Sequence, residues 1–328
     1  MPFGVLLLGP PGSGKSTLTA ALVAAARADG REVAAVNLDP ANDAPPYAAA
    51  VDVTALIASA DAAAAFGLGP NGALLYALDF LAANADWLAR ALAPALARGA
   101  FVIIDAPGQA ELYTAHDGLA RVVRALGARG TDLRLAAVHL VDAHHAADPA
   151  KFVAAALLAL QAMVRLELPH VNVLSKADQT HFFDAAPYGI ESFTDFLDVR
   201  ALLPGSDDDE AGVEGGAGSD AGVGGGGGEA GAGAGSDSDG LPPIASLIQR
   251  TAGGGLAAPR AALARLAPRS AAFLSKFRRL NAALAEVIND YNLISFVPVS
   301  AGDAESVRAL LATVDKAIGF VRTSAPAE

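Results

Sequence analysis

The 328-residue sequence contains no cysteine and no long apolar run. The absence of cysteine excludes disulfide bonds and thiolate metal sites, and it favours an intracellular protein. No apolar stretch approaches the roughly 20 residues that a membrane-spanning helix needs. The short apolar run near the N-terminus lacks the basic flank of a signal peptide. We therefore expect no membrane association and a cytoplasmic location.

A basic surface stripe is also missing. The net charge is -12, and nine of the acidic residues lie between Gly205 and Gly240, a segment without any basic residue. The rest of the chain is therefore nearly neutral, with a net charge of -3. Without clustered Lys or Arg residues there is no surface suited to a phosphate backbone, and we expect no direct binding to nucleic acid.

The acidic segment is also rich in glycine and contains no aromatic residue. Such a composition buries too little apolar surface to offset the entropy of ordering, so we predict a disordered, low-complexity insert over residues 205–268. A tolerated loop expansion is the simpler interpretation, and an acidic partner-binding segment is the alternative. We place this insert inside a helical region at residues 180–291, and we expect a disordered tail at residues 322–328.

The most informative motif lies near the N-terminus, where residues 9–16 read GPPGSGKS. The motif matches the GxxxxGK[ST] phosphate-binding loop and lies between an apolar run and a helical pattern. A glycine-rich turn at a helix N-terminus directs backbone N–H groups at an anionic phosphate chain. We expect Lys15 to bind the β- and γ-phosphates and Ser16 to coordinate Mg2+. The predicted phosphate-binding residues are Gly12, Ser13, Gly14, Lys15, Ser16 and Thr17.

Strands and helices alternate along the rest of the chain. The predicted strands are Val5–Leu8, Glu32–Leu38, Phe101–Asp105, Leu133–Val141, His170–Leu174 and Ile294–Val299. The predicted helices are Lys15–Arg27, Gly72–Arg98, Gly118–Arg129, Pro149–Arg165, Ala271–Tyr291 and Glu305–Phe320. The strands are apolar throughout, as expected when helices cover both faces of a parallel sheet. The sequence therefore predicts a doubly wound, mostly parallel α/β fold of the P-loop NTPase class.

Acidic residues end several of the predicted strands. Asp105 ends a strand in the sequence DAPGQ, and we expect it to hold Mg2+ through water. Asp39 ends the second strand, where it can position the attacking water, although a plain Asp-Pro turn is the alternative. Gln109 either orients water or is a polar surface residue. Asp142 either faces the nucleotide or caps the following turn.

A polar cluster, SKAD at residues 175–178, indicates which base is bound. The carboxylate of Asp178 can accept hydrogen bonds from guanine, whereas adenine offers a mismatched edge. The aliphatic stem of Lys176 can cover the plane of the base. Ser175 replaces the usual asparagine, and the loop after the last strand matches one that donates a backbone N–H to guanine O6. The predicted guanine-binding residues are Ser175, Lys176, Asp178, Ser300 and Ala301.

The motifs GPPGSGKST, VNLDPAN, GPNG, DAPGQAE, VHLVD and SKAD together resemble the GPN-loop GTPase family. Taken locally, GPNG at residues 69–72 is only a turn before a helix, but between the second and third P-loop strands it is the hallmark of this family. The segments DPAKF, LPHVNVLSKAD and YNLISFVPV are most similar to the second eukaryotic paralogue of the family. The resemblance implies a single P-loop GTPase domain over residues 1–328.

The resemblance also implies a mechanism and partners. Family members dimerise with their nucleotide sites facing each other, so Asn71 is expected to act on the partner's phosphate while Gly69 and Pro70 shape the dimer interface. GTP is then the substrate and Mg2+ the cofactor, in a homodimer or a heterodimer with another GPN-loop GTPase. The resemblance further implies a role in the assembly and nuclear import of RNA polymerases II and III, with shuttling between cytoplasm and nucleus.

Two other functions stay open from the residues alone. An ATP-dependent nucleoside or polynucleotide kinase uses the same fold, but it needs a phosphate-acceptor pocket, usually with several Arg residues in a lid. Residues 180–200 offer little of that. A scaffold that binds GTP and hardly hydrolyses it is the other alternative. Nucleotide competition tests the first alternative, and phosphate release tests the second.

Overall fold

The computed structural model describes residues 1–182 apart from Arg129 and Asp148, isolated positions between 280 and 288, and residues 295–320. The predicted insert at 205–268, the tail at 322–328 and nearly all of the helical region at 180–291 lie outside these residues. The helices described are α1 Lys15–Ala28, α2 Ser59–Phe66, α3 Pro70–Ala83, α4 Ala85–Ala97, α5 Glu111–Thr114, α6 Gly118–Gly127, α7 Pro149–Leu166 and α8 Ala304–Ile318. None of them is long and apolar enough to cross a membrane.

Within the residues that the structure describes, seven strands form one sheet in which every neighbouring pair is parallel. The spatial order is β3-β2-β4-β1-β5-β6-β7, so the strand before the phosphate-binding loop is central. The prediction of a doubly wound, parallel α/β fold is therefore confirmed. The strands are β1 Phe3–Leu8, β2 Val33–Asn37, β3 Val51–Asp52, β4 Phe101–Asp105, β5 Arg134–Asp142, β6 His170–Ser175 and β7 Phe296–Val299.

Both faces of this sheet are covered, because alternate residues of a strand point to opposite sides. In β1, Leu6 and Leu8 enter a core that is closed by α3, α4, α6 and part of α7. Val5 and Leu7 enter a second core with the apolar faces of α1 and α8. A smaller cluster joins Phe152 of α7 to β6 and β7. Burial on both faces explains why the strands read as continuous apolar runs.

The structure corrects the sequence prediction between residues 51 and 98. The short strand β3 and the helix α2 were not predicted, because two residues are too few for a periodic signal and α2 consists mostly of alanine. The single helix predicted over Gly72–Arg98 is two helices that meet at Asn84. The Asn84 backbone leaves helical geometry, and its side-chain Nδ2 donates to the Phe80 carbonyl at 2.8 Å.

The register of the sheet brings polar strand ends to one edge. Asn37 of β2 pairs with Asp105 of β4, which in turn pairs with Leu7 of β1. On the other side of β1, Asp142 of β5 pairs with Ser175 of β6. In parallel α/β sheets, ligands bind at this carboxyl edge. The fold therefore collects the residues that carry the predicted chemistry at one place.

Candidate nucleotide-binding site

The loop between β1 and α1 has the backbone of a phosphate-binding turn. Gly9 and Gly14 have φ of 143° and 92°, values that favour glycine over residues with a side chain. A Cβ on Gly9 would also lie 2.6 Å from the Leu140 carbonyl oxygen. Gly14 precedes α1 without a side-chain cap, so the first N–H groups of α1 have no side chain in front of them. These donors and the helix dipole favour an anion at the loop.

Lys15 is folded back onto this loop. Its side-chain Nζ donates to the carbonyl oxygens of Gly9 at 3.0 Å and Pro10 at 3.1 Å. Burial lowers the pKa of Lys15, although the nearby carboxylates of Asp105 and Asp39 oppose this effect. The ammonium is therefore a buried cation held by neutral oxygens, and a phosphate chain offers it a stronger partner.

The segment after β4 passes close to the ammonium of Lys15. A Cβ on Gly108 would lie 2.9 Å from Lys15 Nζ and 3.2 Å from the backbone of Pro11. Only glycine lets the chain approach the loop this closely without displacing Lys15. The segment that follows Asp105 therefore contacts the phosphate-binding loop directly.

Asp105 is the buried carboxylate of the site, with 1% of its surface exposed. Its Oδ2 accepts a hydrogen bond from the Tyr47 hydroxyl at 2.9 Å. Its Oδ1 is buried without a hydrogen bond of good geometry, although the Ser16 hydroxyl is near enough to act on the carboxyl group. Burial raises the pKa of Asp105, and Ser16, Tyr47 and Lys15 oppose the rise. A buried carboxylate oxygen that makes no hydrogen bond of good geometry is a suitable place for a cation or its water.

The donor set at this point fits Mg2+ in type. Mg2+ prefers oxygen ligands and keeps several waters, so it is usually held by one or two side chains and by substrate phosphates. Ser16 and Asp105 provide a hydroxyl and a carboxylate next to the loop. No group of three or more His, Cys, Asp or Glu side chains that could hold a metal ion occurs in the described part of the chain.

Asp39 follows the end of β2 and is half-buried. Its Oδ1 accepts from the Ala41 N–H at 3.0 Å, and its own N–H donates to Asn37 Oδ1 at 3.1 Å. The buried Asn37 in turn donates to Asp52 Oδ1 at 3.1 Å, so the unpredicted strand β3 helps to hold this turn. Burial raises the pKa of Asp39, and the Ala41 N–H and Lys15 oppose the rise.

The GPN segment begins α3 and does not precede it as a separate turn. The helix starts at Pro70 and not at the predicted Gly72, because proline has no N–H to satisfy and its φ suits the first helical position. Gly69 is the N-cap residue, and all three residues of the segment are exposed. Asn71 Oδ1 accepts a hydrogen bond from Gln109 Nε2 at 2.8 Å. This bond joins the GPN segment to the chain's own segment after β4.

The predicted base-binding residues lie at the ends of β6 and β7. Ser175 Oγ donates to the Val141 carbonyl at 3.3 Å, and Asp178 is exposed on the following 3-10 turn. The two strands are adjacent, so Ser300 and Ala301 come next to this turn. The Ser300 N–H already donates to Ser306 Oγ at 3.2 Å. The candidate donor to a base in this loop is therefore the Ala301 N–H.

Asp142 caps the turn that follows β5, which is one of the two roles that the sequence left open, and it also pairs with Lys176. Its Oδ2 accepts from Lys176 Nζ at 2.6 Å, and its Oδ1 accepts from the N–H and the Nδ1 of His144 at 3.2 and 2.9 Å. Partial burial opposes ionisation, but the hydrogen bonds from Lys176 and His144 outweigh it and lower the pKa of Asp142. Lys176 has φ of 58°, so both its backbone and its ammonium are constrained.

Two contributors to the site were missed or left open by sequence reasoning. Tyr47 lies in an irregular segment and reaches Asp105 across 58 positions of sequence, so no local pattern marks it. Asp142 could be recognised as an acidic residue at a strand end. Its pairing with Lys176 could not, because the two residues are 34 positions apart in the sequence. The structure brings the carboxylates of Asp39 and Asp105 near enough to Lys15 and to Tyr47 to affect the pKa of each. It places Ser175, Lys176 and Asp178 at the ends of strands on the far side of β1.

The chain is similar to known proteins over most of its length. A family model described as a conserved hypothetical ATP binding protein matches residues 7–215. GPN-loop GTPase 2 of Xenopus tropicalis is 36% identical over 318 residues, which cover 97% of this chain and 83% of that protein. GPN-loop GTPase QQT1 of Arabidopsis thaliana is 34% identical over 321 residues, with 98% and 86% covered.

A solved structure also resembles this chain. The apo form of a GTPase from Pyrococcus abyssi superposes with a TM-score of 0.56 and 19% identity, and 96% of each chain is covered. At this identity the likeness supports the fold alone. The extent of the sequence matches decides the family: this chain belongs to the GPN-loop GTPases, as its motifs predicted.

Proposed function

We propose that this protein is a Mg2+-dependent GTPase that works as a dimer, with a second copy or with another GPN-loop GTPase. We further propose that it assists the assembly and nuclear import of RNA polymerases II and III. Membership of the family supports GTP hydrolysis as the reaction. The observation that carries the proposal is the convergence of Lys15, Asp39 and Asp105 at the carboxyl edge of the sheet.

Nucleotide binding follows from the buried charges of the loop. The Lys15 ammonium leaves the carbonyl oxygens of Gly9 and Pro10 for the β- and γ-phosphates, which form stronger, charge-assisted bonds. The N–H groups that begin α1 bind the same phosphates. Ser16 and Asp105 hold Mg2+, which neutralises phosphate charge when it is bound. Asp178 accepts from the guanine edge and Lys176, held by Asp142, covers the base.

Hydrolysis adds water to the γ-phosphorus and releases GDP and phosphate. Asp39 is suited to accept the proton of this water, because burial raises the pKa of its carboxyl group above the ordinary value and makes the carboxylate a stronger base. Its orientation is fixed by the Ala41 N–H and, through the backbone, by Asn37. Charge that develops on the transferred phosphoryl group is met by Lys15 and by a side-chain amide, which we assign to Asn71 of the partner subunit.

The dimer is supported by the exposure of the GPN segment. Gly69, Pro70 and Asn71 project from the start of α3 without being buried by their own chain. An exposed amide on a rigid helix start is available to a facing site. The polymerase role and shuttling between cytoplasm and nucleus rest on the resemblance to the family. They are tested by depleting the protein and locating the large polymerase subunits, which should accumulate in the cytoplasm.

The biochemical test is GTP hydrolysis measured as a function of protein concentration. A shared active site predicts that turnover per subunit rises with concentration and reaches a plateau once dimers form. ATP should compete poorly, and Lys15→Ala should abolish turnover at every concentration. Turnover per subunit that stays constant from nanomolar to micromolar protein, while the protein remains a monomer, would refute the dimeric mechanism. Transfer of phosphate from ATP to a nucleoside would instead identify a kinase.

A further inference from the structure

The side-chain amides of Gln109 and Asn71 form a directed hydrogen bond between two functional segments. Gln109 Nε2 donates to Asn71 Oδ1 at 2.8 Å. Gln109 follows Gly108 in the segment after β4, and Asn71 is the second residue of α3. Asn71 is exposed and Gln109 is half-buried, so the pair lies at the surface beside the phosphate-binding loop. The bond spans 38 positions of sequence and therefore depends on the fold.

The direction of this bond determines what Asn71 can offer to a ligand. A carboxamide has one acceptor oxygen and one NH2 group with two donor hydrogens. Because Asn71 uses its oxygen to accept from Gln109, its Nδ2 group is turned away from Gln109 with its hydrogens available. A phosphate oxygen needs a donor, whereas an amide oxygen in the same place would repel it. The reversed amide would therefore be inactive towards a phosphate.

We propose that Gln109 is a positioning residue for Asn71, which it holds with the Nδ2 donor directed at the partner subunit's phosphate. This inference rests on the proposed function, in which Asn71 completes the site of the facing subunit. Gln109 is itself well placed to act as a fixed support. Its neighbour Gly108 packs against Lys15 and Pro11, so the segment is held against the phosphate-binding loop of its own subunit.

The substitution Gln109→Glu tests the direction of the bond. A carboxylate in place of the Gln109 amide accepts and does not donate at neutral pH. Asn71 then donates a hydrogen bond from its Nδ2 to the introduced carboxylate. The Nδ2 donor is therefore no longer directed at the phosphate. Gln109→Ala only removes the support, so Asn71 samples both orientations. We expect Gln109→Glu to be more harmful than Gln109→Ala, although the glutamate is nearly isosteric with glutamine.

The experiment uses a dimer with one working site, isolated through two different affinity tags. The acceptor subunit carries Asn71→Ala and keeps its phosphate-binding loop. The donor subunit carries Lys15→Ala and keeps Asn71. Each homodimer lacks one essential group, so turnover reports only the acceptor's site completed by the donor's Asn71. Substitutions of Gln109 are then placed in the donor subunit, which has no productive site of its own.

In the donor subunit, Gln109→Glu should lower kcat by about tenfold or more while the KM for GTP changes less than about twofold, as expected for a donor used in the transition state. Adding Gln109→Glu to a donor that already carries Asn71→Ala should cause no further loss. Ala65→Glu, which adds the same charge on the exposed side of α2, is the matched control and should leave turnover unchanged.

The two levels of the proposal fail in distinguishable ways. If Asn71→Ala in the donor leaves the mixed dimer active, Asn71 does not act on the partner's site and the proposed dimeric mechanism is wrong. If Asn71→Ala in the donor abolishes turnover but Gln109→Glu in the donor does not lower it, the mechanism stands and Gln109 is not a positioning residue. A loss of GTP affinity equal to the loss of kcat would likewise overturn the positioning role.

Discussion

Replacing Tyr47 by phenylalanine tests how the site keeps Asp105 ready for a cation. The hydroxyl of Tyr47 donates to Asp105 Oδ2 at 2.9 Å, and the carboxylate is almost completely buried. A hydrogen bond to a charged group contributes about 1.5–3 kcal/mol, which corresponds to roughly one to two pKa units. Because Tyr47 opposes the effect of burial, its removal should raise the pKa of Asp105 further.

The expected consequence is weaker and more pH-dependent binding of Mg2+. The cation needs the ionised carboxylate, so protons compete with it as the pH falls towards the raised pKa of Asp105. Loss of a group that orients a metal ligand typically weakens metal binding by about 10–100-fold. We expect Tyr47→Phe to shift the Mg2+ midpoint by about tenfold at pH 7.5 and by more at pH 6. The measurement is a Mg2+ titration of the retention of fluorescent GDP.

Tyr76→Phe is the control for this substitution. Tyr76 lies on α3 and packs between Phe66 and Phe80, so the same hydroxyl is removed from an aromatic side chain outside the site. The control should keep the wild-type Mg2+ midpoint at both pH values. If Tyr47→Phe also keeps it, then the bond to Asp105 does not prepare the metal site and the reasoning from burial is wrong.

Three further predictions concern the base site and the core. Asp142→Asn removes the charged partner of Lys176 and should weaken GTP binding by about fivefold, measured by nucleotide competition, since a partly exposed ion pair contributes roughly 1 kcal/mol. Asp178→Asn should reduce the preference for guanine and admit xanthine nucleotides; an unchanged preference would remove Asp178 from the base site. Burial lowers the pKa of His139 from 6.5 to about 3. Between these two pH values the unfolded chain takes up a proton that the native state does not, so the native state loses stability as the pH falls through this range. The free energy of unfolding, measured with urea, should therefore fall less for His139→Leu than for the wild type when the pH is lowered from 7 to 5. The expected difference between the two losses is roughly 1–2 kcal/mol. Equal losses would contradict a buried, neutral His139 ring.

The sequence predicted those parts of the fold and site that have a local signal. The glycine-rich loop, the apolar strands and the acidic residues at strand ends such as Asp105 are each recognisable within about ten positions. The strand β3 could not be predicted, because two residues are too few to show a period. The helix break at Asn84 could not be predicted either, because the apolar pattern continues across it.

Contacts between distant segments could not be predicted from a single sequence. Tyr47 reaches Asp105 from an irregular segment that has no strand or helix pattern of its own. The bond from Gln109 to Asn71 requires the start of α3 and the segment after β4 to meet in space. The sequence proposed both residues as functional, but it placed them in separate roles. Their contact is a property of the fold, because neither local pattern specifies the other.

The last strand and the last helix have a consequence for synthesis of the protein. Strand β7 pairs with β6, and α8 covers the face of the sheet that contains Val5 and Leu7. Asp315 of α8 also forms an ion pair with Arg31, which lies between α1 and β2. A nascent chain that has emerged only to residue 182 therefore leaves an apolar face open and an edge strand unpaired. Completion of the nucleotide-binding fold therefore has to wait until residues 296–318 have left the ribosome.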